Sequence, residues 1–213
     1  MKIAVTSDLW TGLFDFPESV DLFIVCGNIC PIWDKDAITY NITQQTEWIE
    51  KKLNPWLGKL NTDNVLLMGG PNDFVAQHYG SSFSFYLNGN YIQDEPITFD
   101  GHVFYGVPWV PSHYIELREQ CAFKSRSGEL FKVALDSINN NIDVLLSYVA
   151  PRTSLEKSSV DGKEMRGDVF LKERIDELKK LKLCIYGMPS CEKDTSIIKK
   201  SRTDTSSYRV FEI

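Results

Sequence analysis

Several polar residues directly follow short apolar runs of this sequence, and their side chains decide which chemistry those positions support. Asp8 follows the run at residues 3–5, Asn28 follows 22–26, and Asp73 follows 65–68. Carboxylate and amide oxygens can bind a divalent cation or accept hydrogen bonds from the backbone. Other residues near such ends offer an indole, an imino acid, an amide, a phenol, a thioether and a hydroxyl, in the order Trp10, Pro71, Asn72, Tyr148, Met188 and Ser190. The number of metal-binding groups in this set therefore decides between metal-dependent catalysis and a purely binding role.

The pattern of apolar residues predicts the elements that position this set. Strand-length runs occur at residues 3–5, 22–26, 65–68, 103–107, 144–146 and 183–186, and residues 208–213 alternate like a closing strand. Helical spacing occurs at residues 43–60, 127–138 and 170–181. Pro55 is expected to break or kink the first helix, and residues 152–166 are expected to form a long surface loop. Together these elements predict one α/β domain over residues 1–213.

Five of the predicted strand ends, in chain order, resemble the signature blocks of the calcineurin-like metallophosphoesterases. The blocks are Ser7-Asp8-Leu9-Trp10, Gly27-Asn28, Gly70-Pro71-Asn72-Asp73, Ser147-Tyr148 ahead of Pro151, and Gly187-Met188-Pro189-Ser190. The stretch 106–111, which reads Gly-Val-Pro-Trp-Val-Pro, is similar to a segment of the smaller, single-domain members. The resemblance spans nearly the whole chain. It implies the calcineurin-like phosphoesterase fold, a four-layer αββα sandwich with mixed sheets.

The resemblance also implies that the metal site of the family has been lost. Members hold two divalent metals, which supply the attacking hydroxide and neutralise the phosphoryl oxygens, through two Asp, one Asn and four His. Asp8 matches, whereas Asn28 stands in place of the bridging Asp and Pro71 in place of the Asn. The four His positions are filled by Trp10, Tyr148, Met188 and Ser190. In this register Asn72 replaces the general-acid His, and a shifted register gives it the Asn-ligand position instead.

Composition supports the same interpretation without any alignment. The chain has three histidines, His78, His102 and His113, and none lies in a block. A site that needs four imidazoles cannot be built from three, and indole, proline and thioether groups do not ligate hard cations usefully. Cys26, Cys30 and Cys191 match no common zinc spacing. We therefore expect no metal, no cofactor and no catalytic residue.

Aromatic residues in the loops after the strands are the second feature of interest. Trp10, Phe14 and Phe16 follow the first strand, Trp33 follows the second, and Trp109 lies near the fourth. The resemblance implies that these loops share the rim of the former metal site. Trp and Phe are typical anchors of protein interfaces. The equal alternative is that they fill the pocket left by the metals.

The leading hypothesis is a catalytically inactive protein that binds a macromolecular partner as a scaffold, regulatory subunit or inhibitor. One alternative is a phosphodiesterase or phosphatase with a residual metal site at Asp8 and Asp73. The favoured role of that pair is structural, with Asp8 accepting backbone N–H groups and Asp73 capping the next turn. Another alternative is a non-hydrolysing nucleotide or phosphate-binding protein that uses turn amides near Gly27 and Gly70.

Charge and cysteine content narrow the partners and the compartment. A net charge of −6 and a pI of about 5.1 disfavour non-specific binding to nucleic acid or anionic membrane. No apolar run approaches membrane-spanning length, and the start of the chain predicts a strand and no signal peptide. Five scattered cysteines favour a reducing compartment over a disulfide framework. A cytoplasmic location is expected.

Overall fold

The computed structural model of the chain describes residues 1–34, 36–112, 120–125, 127–152, 158–160, 163–165, 167–187, 199–202 and 208–213. Over these ranges the chain forms two five-stranded sheets and two short strand pairs, with helices between the strands. Each large sheet contains both parallel and antiparallel neighbours. The prediction of an α/β chain with mixed sheets is confirmed.

The strands and helices, numbered in chain order, have the following bounds. The strands are β1 Lys2–Thr6, β2 Leu22–Cys26, β3 Val65–Met68, β4 Asn90–Tyr91, β5 Pro96–Phe99, β6 His102–Val107, β7 Val110–Pro111, β8 Lys124–Ser125, β9 Val144–Ser147, β10 Ser158–Val160, β11 Lys163–Met165, β12 Leu183–Tyr186, β13 Lys199–Arg202 and β14 Arg209–Glu212. The helices are α1 Ile38–Trp48, α2 Asn54–Leu57, α3 Phe74–Tyr79, α4 Gly128–Asp136 and α5 Val169–Glu177. Short 3-10 segments lie at Leu9–Thr11 and Gly80–Tyr86, and a π-turn lies at Ile49–Leu53.

The strand order brings the polar strand ends of the sequence to common edges. The first sheet has the order β14-β1-β2-β3-β4, and only β14 runs antiparallel to its neighbour. The second has the order β13-β12-β9-β6-β5, and only β5 runs antiparallel. Since β1, β2 and β3 are parallel, the loops that follow them leave the sheet at one edge. The same holds for β6, β9 and β12.

Three buried apolar clusters give the order of the layers. The central cluster joins one face of β1–β3 to one face of β6, β9 and β12, so the two sheets pack face to face. The other face of the first sheet packs on α1, the π-turn, α2 and α3, and the other face of the second packs on α4 and α5. Because both faces of these strands are buried, their sequences are continuously apolar and do not alternate.

The first helix differs from its prediction at both ends. It begins at Ile38 and continues through Pro55 to Leu57, because the π-turn Ile49–Leu53 precedes the proline. The amide of Asn54 donates to the carbonyl of Ile49, five residues back, and Pro55 lies in the first turn of α2, where it needs no donor. The helix is therefore not interrupted at Pro55. Its winding changes from α to π and back to α before the proline.

The predicted loop at residues 152–166 is wrong in part. Residues 158–160 and 163–165 form the antiparallel pair β10–β11, with Ser158 opposite Met165. Sequence reasoning also missed α3 and several two-residue strands, which are too short to show a period. Among the described residues, no helix has the length and apolar character needed to cross a lipid bilayer.

Candidate functional site

Backbone hydrogen bonds bring the predicted strand ends together at the junction of the two sheets. Asp8 N–H donates to the carbonyl of Gly27 at 3.1 Å, and Gly27 N–H donates to that of Met68 at 3.0 Å. In the second sheet, Gly187 N–H donates to the carbonyl of Ser147 at 3.1 Å. The Ser7 hydroxyl oxygen lies 3.4 Å from the Gly187 carbonyl and so brings the first sheet into contact with the second. Met188 and Ser190 lie outside the described residues.

The carboxylate of Asp8 accepts hydrogen bonds from three neighbouring side chains. Asn28 Nδ2 donates to Asp8 Oδ1 at 2.7 Å, and Trp10 Nε1 donates to the same oxygen at 3.1 Å. Ser7 Oγ donates to Asp8 Oδ2 at 3.2 Å. Asp8 and Asn28 are both buried and both adopt left-handed backbone conformations, with φ of 56° and 52°. That conformation suits Asp and Asn better than most residues and directs the two side chains toward each other.

Asn28 connects its own block to three of the other four through one amide group. Its Nδ2 also donates to Tyr148 Oη at 2.7 Å, and its Oδ1 accepts from the backbone N–H of Asn72 at 3.0 Å. Both amide hydrogens and the amide oxygen are thus in use. An aspartate in this position would place a second carboxylate against Asp8, so the neutral amide is the group that this arrangement requires.

The ring of Tyr148 occupies the space between the glycines of three blocks. A Cβ added to Gly27 would lie 2.5 Å from Tyr148 Cδ2, one on Gly70 would lie 3.1 Å away, and one on Gly187 would lie 3.3 Å away. Gly27 also has a φ of +88°, which disfavours any side chain. The junction is filled by an aromatic ring where the resemblance implies an imidazole ligand.

Asp73 has a structural role, different in detail from the predicted cap. Its carboxylate accepts from the amides of Gly70 at 2.7 Å, Ile29 at 3.0 Å and Cys30 at 2.7 Å, and it makes no side-chain cap to α3. The side chain therefore ties the loop after β3 to the loop after β2. Burial raises the pKa of Asp73 to about 7, against the lowering effect of the three amides, and the nearby Asp8 adds to the rise.

Stability is expected to fall as pH rises through the range in which Asp73 ionises. The folded pKa is about 7 and the ordinary value is 3.8, so the folded state binds more protons between these two limits. The unfolding free energy should decrease from about pH 4 to about pH 7 by at most about 4 kcal/mol from this group, and then level off. Urea unfolding at several pH values measures the slope.

The matched variants are Asp73→Asn and the exposed Asp63→Asn. Asp73→Asn should flatten the slope because its amide does not titrate, and it should lower stability overall, since one amide oxygen replaces two carboxylate oxygens as acceptor. Asp63→Asn should keep the wild-type slope. An unchanged slope in Asp73→Asn would show that this carboxyl does not carry the effect.

The described residues give a metal little to bind. Among them, no group of three or more His, Cys, Asp or Glu side chains lies close enough to hold an ion. Burial raises the pKa values of Cys26 and Cys30 above their usual range, so both remain thiols. Cys26 Sγ lies 3.4 Å from the carbonyl of Ser147 and 3.8 Å from that of Ile185, which is consistent with a buried structural role.

The five aromatic residues of the predicted rim lie in different environments. Trp10 and Trp33 are 44% and 43% exposed. Phe16 is buried against Phe23 and Tyr208, and Phe14 stacks on Tyr208 at the edge of the same cluster.

Trp109 is half-buried, packs edge-on against Phe123 and donates its indole N–H to Asp94 Oδ2 at 2.8 Å. Phe14 and Phe16 thus belong to the cluster on the outer face of the first sheet, whereas Tyr148 of the junction belongs to the central cluster, so these two rings do not fill the pocket beside Asp8. Trp10 and Trp33 remain the exposed pair.

Two residues that sequence reasoning missed hold the loop that carries Trp33. Asn41 Oδ1 accepts from the amides of Trp33 at 2.9 Å and Asp34 at 3.2 Å. Gln45 Nε2 donates to the carbonyls of Pro31 at 3.0 Å and Asn72 at 2.6 Å. Both side chains are fully buried on α1, four residues apart. Two amides at that spacing, on a helix face that would otherwise be apolar, are the sequence signal that indicates them.

Comparison with known proteins supports the overall fold and gives no information about function. No family model matches the sequence, and no curated protein matches it. Solved structures do match, and one crystal structure aligns over 98% of this chain and 93% of its own with a TM-score of 0.64 at 13% identity. At that identity the likeness shows a shared fold and carries no function.

Proposed function

We propose that the chain is a catalytically inactive protein with the calcineurin-like metallophosphoesterase fold, which binds a protein partner through the rim of the former metal site. Two mixed sheets packed face to face, with helices on both outer faces, support a four-layer αββα sandwich. Four of the five resembling blocks meet at one junction through Asp8, Asn28, Asn72 and Tyr148, and Gly187 brings the start of the fifth.

The observation that carries the loss of catalysis is the occupation of Asp8 by protein donors. Its Oδ1 accepts from both Asn28 and Trp10, and its Oδ2 accepts from Ser7. A divalent cation would need these lone pairs and further anionic ligands. The Asp73 carboxylate is likewise engaged by three amides. A residual phosphatase centre on this pair would have to break most of these bonds.

The phosphate-binding alternative loses support at the two turns on which it rests. The Gly27 amide donates to the Met68 carbonyl, and the Gly70 amide donates to Asp73 Oδ2. A phosphate needs free amides that converge on one point. At these two glycines the amides already donate within the protein. Binding of a protein partner at the rim is therefore better supported than binding of phosphate.

Exposed aromatic and aliphatic residues at the loops after β1 and β2 support a protein partner. Trp10 and Trp33 are exposed there, and Ile38 and Tyr40 in the first turn of α1 are exposed as well. Large aromatic anchors dominate the binding energy of protein interfaces. The loop of Trp33 is held by Asn41 and Asp73, so its ordering cost is already met before a partner binds.

A Trp33→Ala variant is expected to weaken the complex by about 30-fold or more, because a buried tryptophan anchor contributes at least about 2 kcal/mol. The partner is first captured with a photo-crosslinking phenylalanine analogue at position 33 in cells that express the chain. The affinity of the purified pair is then measured by calorimetry. Position 85 supplies the matched control, since Phe85 is 90% exposed in the segment between α3 and β4.

Phe85→Ala should change this affinity by no more than about twofold, and crosslinking from position 85 should not recover the same protein. Comparing the unfolding midpoints of the variants with that of the wild type distinguishes loss of the Trp33 side chain from loss of the folded structure. Full-strength binding by the Trp10→Ala/Trp33→Ala double variant would reject the rim as the interface. Manganese-dependent hydrolysis of a phosphodiester that disappears in Asp8→Ala would reject the loss of catalysis.

A further inference from the structure

Residues 74–93 form the longest stretch of the sequence without an Asp, Glu, Lys or Arg, although these four residue types make up 24% of the chain. The stretch covers α3, the 3-10 segment Gly80–Tyr86 and β4, which is an edge strand of the first sheet. Soluble proteins usually place charges beside their sheet edges, because charges keep other chains away. This stretch has none, so its exposed side chains decide what it can contact.

Four aromatic side chains of this stretch, His78, Tyr79, Phe85 and Tyr86, are named here the aromatic surface. Phe85 is 90% exposed, more than any other large apolar side chain among the described residues. Tyr86 is 40% exposed, and its ring stacks on that of Tyr79 with 4.4 Å between the ring centroids. His78 packs edge-on against Tyr79 at 4.8 Å. A group of exposed aromatic side chains with no charged residue in the same stretch is typical of the centre of a protein interface.

The turn that presents Phe85 is fixed by contacts within the protein. Phe83, two residues earlier, is fully buried in the cluster on the outer face of the first sheet. Asn54 Nδ2 donates to the carbonyl of Tyr86 at 2.9 Å, and Asn54 Oδ1 accepts from the amide of Asn88 at 2.9 Å. Because the backbone is held on both sides of Phe85, little conformational entropy remains to be lost when its ring is covered.

We propose that the aromatic surface binds a second copy of this chain and forms a weak two-fold symmetric dimer. Each copy has a net charge of −6, so two copies repel each other and meet at least cost where the surface carries no carboxylate. The loop after β2 does not meet this condition, since Asp34 and Asp36 are exposed there. The stretch that contains the aromatic surface does meet it.

The uncharged stretch is also chemically suited to contact its own copy. Across a two-fold axis both subunits present the same groups, and charges of a single sign cannot pair under that condition. Hydroxyl and amide side chains both donate and accept, and the exposed Ser81, Ser82 and Asn88 supply them on either side of Phe85 in the chain. Aromatic rings pack favourably on rings of the same kind. The π-turn that precedes Asn54 carries both acidic and basic residues, so it does not present a single sign to its copy.

Sedimentation velocity of the purified chain between about 1 and 300 μM tests the proposal. A contact of this size should give a Kd of roughly 10–100 μM. Raising the salt concentration from about 0.05 M to about 0.5 M should leave the dimer unchanged or strengthen it, because salt screens the repulsion between the two negatively charged chains. A photo-crosslinking phenylalanine analogue at position 85 should join two copies of the chain.

Phe85→Asp should weaken dimerisation at least about tenfold, because it replaces two rings at the contact by two carboxylates. The side chain is almost fully exposed, so the unfolding midpoint should not change. Val133→Asp on α4 is the matched control, since it makes the same change of charge at a side chain that is 65% exposed, and it should keep the wild-type Kd. A chain that stays monomeric up to 300 μM, a dimer that Phe85→Asp does not weaken more than Val133→Asp does, or crosslinking from position 85 only to a different protein would each overturn the proposal.

Discussion

An Asn28→Asp variant is expected to lose roughly 3 kcal/mol of unfolding free energy near pH 8, because it places a second buried carboxylate against Asp8. The present Nδ2 lies 2.7 Å from Asp8 Oδ1 and 2.7 Å from Tyr148 Oη, and both Asp8 and Asn28 are only 5% exposed. The new oxygen would face Asp8 Oδ1 with no hydrogen between them. Urea unfolding of the variant and the wild type measures the loss.

The loss of unfolding free energy in Asn28→Asp should become smaller as pH falls and when a divalent cation is added. Repulsion raises the folded pKa of the new pair, so the penalty is present above that pKa and is relieved as pH falls toward about 5, where one proton is shared. If Asn28 stands in the place of a bridging aspartate, manganese should also stabilise Asn28→Asp and leave the wild type unchanged. This cation effect tests the proposed relation to the metallophosphoesterases separately from the repulsion.

The matched control is Asn139→Asp, an exposed site at which the new carboxylate keeps the acceptor for the Asn141 amide. Its unfolding free energy should stay within about 0.5 kcal/mol of the wild type. An Asn28→Asp protein as stable as this control would mean that the amide network around Asp8 does not form. Stabilisation of the wild type by manganese would mean that Asp8 still holds a metal.

Continuous apolar runs indicated the strands, and the order of the first sheet puts the ends that carry Asp8, Asn28 and Asn72 at one edge. Tyr148 follows a strand of the second sheet, so only the resemblance to the metallophosphoesterases implied that all four residues would meet. What the pattern did not contain is the direction of each side chain. Phe16 and Trp33 both lie in loops, yet one is buried against Phe23 and the other is exposed. Loop residues have no period from which a face can be deduced.

Contacts between residues distant in sequence account for the rest that was missed. Asp94, which the sequence did not indicate, accepts a hydrogen bond from Trp109. Asp73 was indicated, but two of the amides that it binds lie more than 40 positions away. In each case a buried polar group is satisfied by a segment whose position depends on the whole fold. Asn41 and Gln45 differ from these, since their spacing of four becomes a local signal once the helix is extended back from residue 43 to Ile38.

Gly187→Ala is expected to cost at least about 3 kcal/mol of unfolding free energy, because a Cβ there has no room. The added carbon would lie 2.0 Å from the carbonyl oxygen of Cys26, at the point where β12 of one sheet meets β2 of the other. The neighbouring atom belongs to the backbone of a buried strand, so it cannot turn away as a flexible side chain would. The glycine is required here by close approach, and the two sheets would have to separate to admit alanine.

Gly58→Ala is the matched control, since its Cβ would lie 3.5 Å from the nearest carbonyl oxygen in an ordinary helical conformation. It should unfold at the wild-type denaturant concentration or slightly above, because alanine restricts the unfolded chain more than glycine does. Gly187→Ala should also weaken the Asp8 network, since Ser7 Oγ, which donates to Asp8, lies 3.4 Å from the Gly187 carbonyl. If thermal unfolding placed the two alanine variants within about 1 kcal/mol of each other, the close contact between the sheets at Cys26 would be wrong.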